Sequence, residues 1–391
     1  MKKAIIIFMA FSLFLTLGIA SFAESETNNG AEYNLSTGEA LDISANAAIL
    51  IDAMTGEVLY EKNSTASLAP ASVTKVMTLL LVCEAIYDGA FSLEDTVTVS
   101  DTAAAMGGSQ IFLKEGERIT VSDLLKSTVI ASANDAAVAL AELTAGSESL
   151  FVSKMNAKAE AMGLSGCHFE NATGLDDTVT NHVMSASDIA KISAELIKYP
   201  EIIEFASIWQ DTIRGGEFTL TNTNRLVRYY DGCNGLKTGS TDKAGYCVSA
   251  TAKRGNMQLI AVIMGADTKD ARNTDAKTLL DFGFSSFCLY ESPECELERV
   301  PVKFGKLTEI TATKSSFAKI VKKSDAKNVE AIYDIPEFLR APFAICDSIG
   351  KVTYKIGECV IGECDIYTPT EICELDFISL FVAFLKSMVI G

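Results

Sequence analysis

Ser72 and Lys75 stand three residues apart in Pro70-Ala71-Ser72-Val73-Thr74-Lys75, a spacing that puts both side chains on one face of a helix. Ser72 falls at the start of that helix, where backbone N–H groups and the helix dipole favour a developing negative charge. A serine hydroxyl needs a base before it can attack a carbonyl. Lys75 can be that base if burial or neighbouring positive charge keeps its amine neutral. The spacing alone is unspecific, because Ser240/Lys243, Ser316/Lys319, Ser324/Lys327 and Ser348/Lys351 share it. Two further constellations make it specific. Ser132-Ala133-Asn134 falls in a break between two helical patterns, where a loop can aim a hydroxyl and an amide into a cleft. Lys237-Thr238-Gly239 opens a strand pattern. Its lysine and threonine can hold a carboxylate, and its glycine lets a substrate backbone lie against the strand edge.

The elements that must position these groups follow from periodicity and turn residues. Residues 44–60 read as two short strands around the turn signal Thr55-Gly56. Helical patterns cover 72–87, 120–130 behind a cap at Thr120, 134–144, 147–162 and 185–199, with Pro200 as the stop. Residues 236–252 and 257–264 read as strands on either side of Arg254-Gly255-Asn256, and 270–282 returns to helix. Strands, a block of helices, strands and a helix suit an α+β fold: an antiparallel sheet with a helical lobe inserted between its strands. Residues 300–370 show β-branched alternation without a helical period, as expected of a small all-β sandwich domain.

Composition bounds the function. The chain has 391 residues, too many for one average domain. Its net charge of −18 disfavours nucleic acid as a partner. Two histidines, His168 and His182, exclude a His-rich metal site and leave little room for a Ser–His–Asp triad; no metal and no other cofactor is expected. Both histidines read as structural. The N-terminus combines Lys2-Lys3, an apolar run and Ser21-Phe22-Ala23, which reads as a signal peptide over 1–23 and places the mature protein outside the cytoplasm. A polar linker, 24–43, follows. The segment 376–391 is apolar but too short to span a bilayer, which suits contact with a membrane surface. The ten cysteines are scattered and read as mostly free, buried thiols.

Ser-x-x-Lys, a Ser-x-Asn element and Lys-Thr-Gly in this order form the active-serine signature of penicillin-binding proteins and β-lactamases. The chain resembles the low-molecular-weight penicillin-binding proteins that are serine-type D-Ala-D-Ala carboxypeptidases. Residues 235–241, Ala244-Gly245-Tyr246-Cys247, Asn171-Ala172-Thr173-Gly174-Leu175-Asp176 and His182 carry the resemblance further, over about 44–375. Ala133 and Ala172 depart from the family pattern, which often has glycine or aspartate at the first position and proline at the second.

The resemblance implies a transpeptidase/β-lactamase-like catalytic domain over 44–287, a C-terminal β-sandwich domain over 295–375 and a membrane-associating tail. It implies that Ser72 attacks the penultimate D-alanine carbonyl of a peptidoglycan pentapeptide stem, that Lys75 takes its proton, and that Ser132 relays a proton to the leaving D-alanine. Asn134 would bind the substrate's peptide group. Lys237 and Thr238, with Arg272, would hold the terminal carboxylate. Gly239 would border the substrate backbone, and the N–H groups of Ser72 and Ser240 would form the oxyanion hole. β-Lactams would acylate Ser72. A crosslink-cleaving endopeptidase or a transpeptidase shares this site. A class A β-lactamase would need a Glu-x-x-Leu-Asn element between Asn134 and Lys237, and there is none. A sensor without turnover would not need the full set of catalytic side chains.

Overall fold

The computed structural model describes residues 33–36, 40–177 and 179–390, so the signal peptide expected over 1–23 and most of the linker expected over 24–43 lie outside the described residues. Its centre is a five-stranded antiparallel sheet in the order Val58–Lys62, Ala47–Asp52, Met257–Ala266, Gly245–Arg254, Cys233–Thr241. The three inner strands are buried on both faces because both faces are covered. Ile49, Ile51, Val262 and Met264 meet the helical lobe, while Leu50, Leu259, Ala261 and Ile263 meet the helix Lys269–Ser286. The strand bearing the Lys-Thr-Gly motif is an edge strand, so its outer side is open to a partner backbone.

The lobe between Lys62 and Cys233 is built around Lys75–Tyr87, whose Val76, Met77, Leu79, Leu80, Val82 and Cys83 are all buried. Burial of almost a whole first half makes this a central rather than an amphipathic surface helix. Asn134–Ala145 packs beside it, and its buried first half is rich in small residues, Ala136, Ala137, Ala139 and Ala141. The Thr120 hydroxyl caps Val121–Ile130 by accepting from Asp123 N–H at 3.1 Å.

Four local expectations need correction. The helix expected from Ser72 begins as a 3₁₀ turn, Ala71–Thr74, and becomes α-helical at Lys75. The strand expected over 236–252 is two strands, broken by a turn at 242–244. The turn residues Asp242-Lys243-Ala244-Gly245 mark the break, and Gly245 takes the left-handed conformation there, at φ 62°. Pro200 does not only stop a helix. The preceding helix ends at Leu196, and Pro200 opens the next one, Pro200–Ala206, at a position where its missing N–H costs nothing. The cysteines form no disulfide among the described residues, but only Cys83, Cys233 and Cys247 are buried, whereas Cys295, Cys346 and Cys373 are exposed.

After the helix Lys269–Ser286 the chain forms a six-stranded sheet and a two-stranded one, Phe287–Ser292 with Phe317–Lys322. They enclose a second core around Val352, Tyr354 and Ile366. A final helix, Phe377–Ile390, leaves Phe377, Ile378 and Phe381 exposed. No helix among the described residues is long and apolar enough to cross a membrane.

Candidate active site

The turn that carries Ser72 is held in a conformation that sequence periodicity does not reveal. Ala71 is left-handed, at φ 47°. Its carbonyl accepts from Thr74 Oγ1 at 2.9 Å, and Thr74 Oγ1 lies 2.8 Å from His182 Nε2. His182 Nδ1 accepts from Glu170 N–H at 3.0 Å, so the ring proton sits on Nε2 and is donated to Thr74. Burial pulls the His182 pKa down to about 4, which keeps the ring neutral. Gly174, at φ +80°, closes the turn from the other side. A Cβ there would stand 1.9 Å from the Ala71 carbonyl oxygen.

Lys75 is fully buried, and its Nζ makes three contacts: Ser72 Oγ at 3.0 Å, Asn134 Oδ1 at 2.6 Å and the Thr173 carbonyl at 2.9 Å. A neutral amine has two N–H donors and one lone pair. Asn134 and Thr173 can take the donors, leaving the lone pair for the Ser72 proton. Burial first, and the Lys237 charge second, hold the Lys75 pKa well below the usual lysine value, against an opposing pull from Asp135. The amine is thereby prepared to act as a base.

Ser132, at φ 62°, turns its hydroxyl toward Lys237, whose Nζ donates to it at 2.8 Å and to the Thr238 carbonyl at 2.9 Å. Lys237 is 1% exposed. Burial, helped by the Arg272 charge, draws its pKa down to about 7. Thr238 Oγ1 donates to Thr223 Oγ1 at 2.8 Å. Gly239 presses the motif strand against the nucleophile: a Cβ there would lie 2.7 Å from Ser72 N and 2.8 Å from Val73 N. Ser240 is exposed on the open edge beyond it. Arg272 is 2% exposed and donates through Nε and Nη2 to Asn273 Oδ1, at 3.1 and 2.9 Å. It enters the site through its charge and makes no hydrogen bond to the motif strand.

Asn134 is fixed on both sides of its amide. Oδ1 faces Lys75 and Nδ2 donates to the Gly107 carbonyl at 2.7 Å. Its backbone N–H donates to Ser109 O. The neighbouring Asp135 holds the same segment by accepting from Ile111 N–H and Leu113 N–H. Asp135, Thr173, Thr223 and the Thr74–His182 pair were not singled out from the sequence as parts of the site. Thr74 lies inside the Ser72–Lys75 motif, Asp135 beside Asn134 and Thr173 within the Asn171–Asp176 motif, and His182 carries the family resemblance, whereas Thr223 has no such signal in the sequence. Among the described residues no group of three or more His, Cys, Asp or Glu could hold a metal ion.

A serine hydroxyl against a buried low-pKa lysine, a second serine–lysine pair and an open strand edge around one point are an arrangement that can carry out acyl transfer. Residues 34–268 match the family profile of D-alanyl-D-alanine carboxypeptidase. The chain belongs to this family of serine-type carboxypeptidases. Residues 289–374 match the penicillin-binding protein 5 C-terminal domain. The chain is 39% identical, over 97% of both sequences, to the D-alanyl-D-alanine carboxypeptidase DacF of Bacillus subtilis (strain 168). It superposes on penicillin binding protein 5 from Haemophilus influenzae with a TM-score of 0.76 at 31% identity, covering 86% of this chain and 99% of that one. Penicillin-binding protein D2 from Listeria monocytogenes, solved in its ampicillin-bound form, aligns at a TM-score of 0.58 and 33% identity, over 63% of this chain and 99% of that one. The fold is that of the transpeptidase/β-lactamase-like enzymes, and the carboxypeptidase is a penicillin-binding enzyme of cell-wall metabolism.

Proposed function

We propose that the carboxypeptidase removes the terminal D-alanine of peptidoglycan pentapeptide stems through an acyl-enzyme on Ser72. The observation that carries this reading is the 3.0 Å contact between Ser72 Oγ and a fully buried Lys75 Nζ beside a second buried lysine. Lys75 takes the Ser72 proton as Oγ bonds to the penultimate D-alanine carbonyl carbon. The tetrahedral oxygen is held by the N–H groups of Ser72 and Ser240. The C–N bond then breaks, and the proton passes by way of Ser132 to the leaving D-alanine amine. Water hydrolyses the ester and regenerates Ser72. Asn134 binds the substrate amide, Gly239 admits the substrate backbone, and Lys237, Thr238 and Arg272 hold the terminal carboxylate. β-Lactams acylate Ser72 in place of the stem.

Export by a signal peptide over 1–23, a linker over 24–43, a catalytic domain over 44–287 and a β domain over 295–375 complete the reading. The boundary between the two family matches supports the domain limits. The exposed apolar side chains of Phe377, Ile378, Phe381, Val382 and Leu385 support a tail, 376–391, that lies on the extracytoplasmic membrane surface. Loss of phospholipid-vesicle co-sedimentation on deleting 377–391 tests the tail; undiminished binding would refute it.

The test of the reaction is release of free D-alanine from a diacyl-Lys-D-Ala-D-Ala tripeptide, blocked by penicillin. Ser72→Ala is expected to abolish both turnover and covalent penicillin labelling. Labelling that survives in this variant would assign the nucleophile elsewhere.

A further inference from the structure

Among the described residues of the first domain, five non-glycine ones are left-handed: Asn63, Ala71, Phe112, Ser132 and Arg214. Asn63 is of a type that tolerates this conformation. Ala71 and Ser132 shape the active site. Phe112, at φ 57°, and Arg214, at φ 52°, have no part in the chemistry described above, yet they adjoin each other. Arg214 Nη1 donates to the Ile111 carbonyl at 2.8 Å, and its guanidinium lies 5.6 Å from the Phe218 ring centre. The Phe112 and Phe218 rings meet edge to face, with centres 6.3 Å apart. A bulky residue held left-handed costs about 1–3 kcal/mol, and such strain concentrates at ligand-contacting positions.

Here the strain has an identifiable result. Ile111 and Leu113 are both clamped by the Asp135 carboxylate, and the residue between them is driven outward, so Phe112 is 68% exposed. The segment that bonds Asn134 therefore also displays an aromatic face. Phe218 meets Phe112 from the other side of the groove. It belongs to the hairpin Gln210–Ile213/Phe218–Thr221, which runs directly into Thr223 and its bond to Thr238. The rim is thus tied to both walls of the cleft.

Phe112 and Phe218 line a shallow groove of about 570 Å³. Glu115, Glu117 and Glu217 border it against Lys114 and Arg214, so its net charge is negative and a carboxylate-bearing peptide is disfavoured. A neutral ring with a flat C–H face and hydroxyl groups suits aromatic and carboxylate neighbours together. Reach agrees. Phe112 lies three residues, at most about 10 Å, from Ser109, which bonds Asn134. Four stem residues span about 13 Å from the scissile carbonyl to the sugar that bears the stem.

We propose that Phe112, Phe218 and Arg214 form a saccharide subsite, in which a pyranose of the glycan strand stacks on Phe112 while the bordering charged groups bind its hydroxyls. This rests on the pentapeptide-stem reading above. The test compares kcat/KM for a disaccharide-pentapeptide with kcat/KM for the sugar-free tripeptide, in the wild type, in Phe112→Asn and in Phe218→Ala. Asparagine tolerates the left-handed backbone, and Phe218→Ala leaves the Asp135-clamped segment untouched. Each variant is expected to lower the ratio of the two values by about fivefold, the worth of one ring contact. A ratio unchanged in both variants, through equal losses or none, would overturn the proposal. Saturation-transfer NMR with the free N-acetylated amino-sugar disaccharide reads the subsite without turnover. Signal in the wild type and its loss in Phe112→Asn support the subsite even if no D-alanine is released, which would count only against the stem reading. No wild-type signal would overturn the subsite.

Discussion

Replacing Lys237 by methionine is expected to stabilise the catalytic domain at pH 6 while removing its activity. Lys237 is 1% exposed, and its pKa falls from 10.5 to about 7, through burial first and the Arg272 charge second. At about 1.4 kcal/mol per decade, holding the ammonium in the fold costs roughly 5 kcal/mol whenever both folded and unfolded states are protonated, that is, below pH 7. Between pH 7 and 10.5 the unfolded chain keeps a proton that the folded protein has released. Wild-type stability attributable to this residue therefore rises with pH through that window, and the cost is gone above it. Methionine removes the charge at similar length. It also strips the Ser132 hydroxyl and the Thr238 carbonyl of a donor, at a total cost of about 2–4 kcal/mol. The net gain at pH 6 is about 1–3 kcal/mol, as for other buried charges replaced by apolar groups. At pH 9.5 about 3 kcal/mol of the wild-type cost has already been relieved, so the gain should vanish or reverse. Urea unfolding followed by Trp209 fluorescence reads this directly, because the protein's single tryptophan lies in the catalytic domain. A variant less stable than wild type at pH 6, or equally favoured at pH 6 and 9.5, would refute the reasoning.

Two further substitutions separate positioning from chemistry. His182→Gln can still donate to Thr74 from the place of Nε2, whereas His182→Asn keeps only the acceptor for Glu170 N–H. Penicillin acylation, read by stopped-flow, is expected to fall about fivefold or more in the asparagine variant and much less in the glutamine one, as loss of one buried hydrogen bond predicts. Equal losses would point instead to ring packing against Phe169. Gly239→Ala puts a Cβ within 2.9 Å of three backbone atoms of the Ser72 turn, so the motif strand must move outward. Slower acylation with the carboxylate grip intact is expected, seen as a lower acylation rate constant with little change in the Kd of the initial penicillin complex; an unchanged rate constant would show that the strand yields freely.

What the sequence discloses is local. Ser72 with Lys75, Ser132 with Asn134, and the Lys237 triplet are each legible because their partners lie within three residues, and the structure brings all three to one point. The antiparallel sheet with an inserted helical lobe is legible for a related reason: period and turn residues act over short windows. What escapes is set by distance along the chain. The Thr173 carbonyl meets Lys75 across 98 residues, and His182 meets Thr74 across 108. No window of sequence contains both ends of such a contact.

Conformation escapes for another reason. Ala71, Ser132 and Phe112 are ordinary residue types held left-handed by contacts from elsewhere: Thr74 and Gly174, Lys237, and the Asp135 carboxylate. Propensity would place none of them there, so the strain must be sustained by the tertiary structure that uses it. The same holds for charge. Lysine is the side chain least expected in a core, yet two of them, Lys75 and Lys237, are fully enclosed within one site. Each depresses its own basicity by burial, and Lys237 depresses that of Lys75 further. The fold thus spends stability on two buried amines and obtains from them a base held well below the usual lysine pKa. That exchange is why the substitution that silences the enzyme is expected to make it harder to unfold.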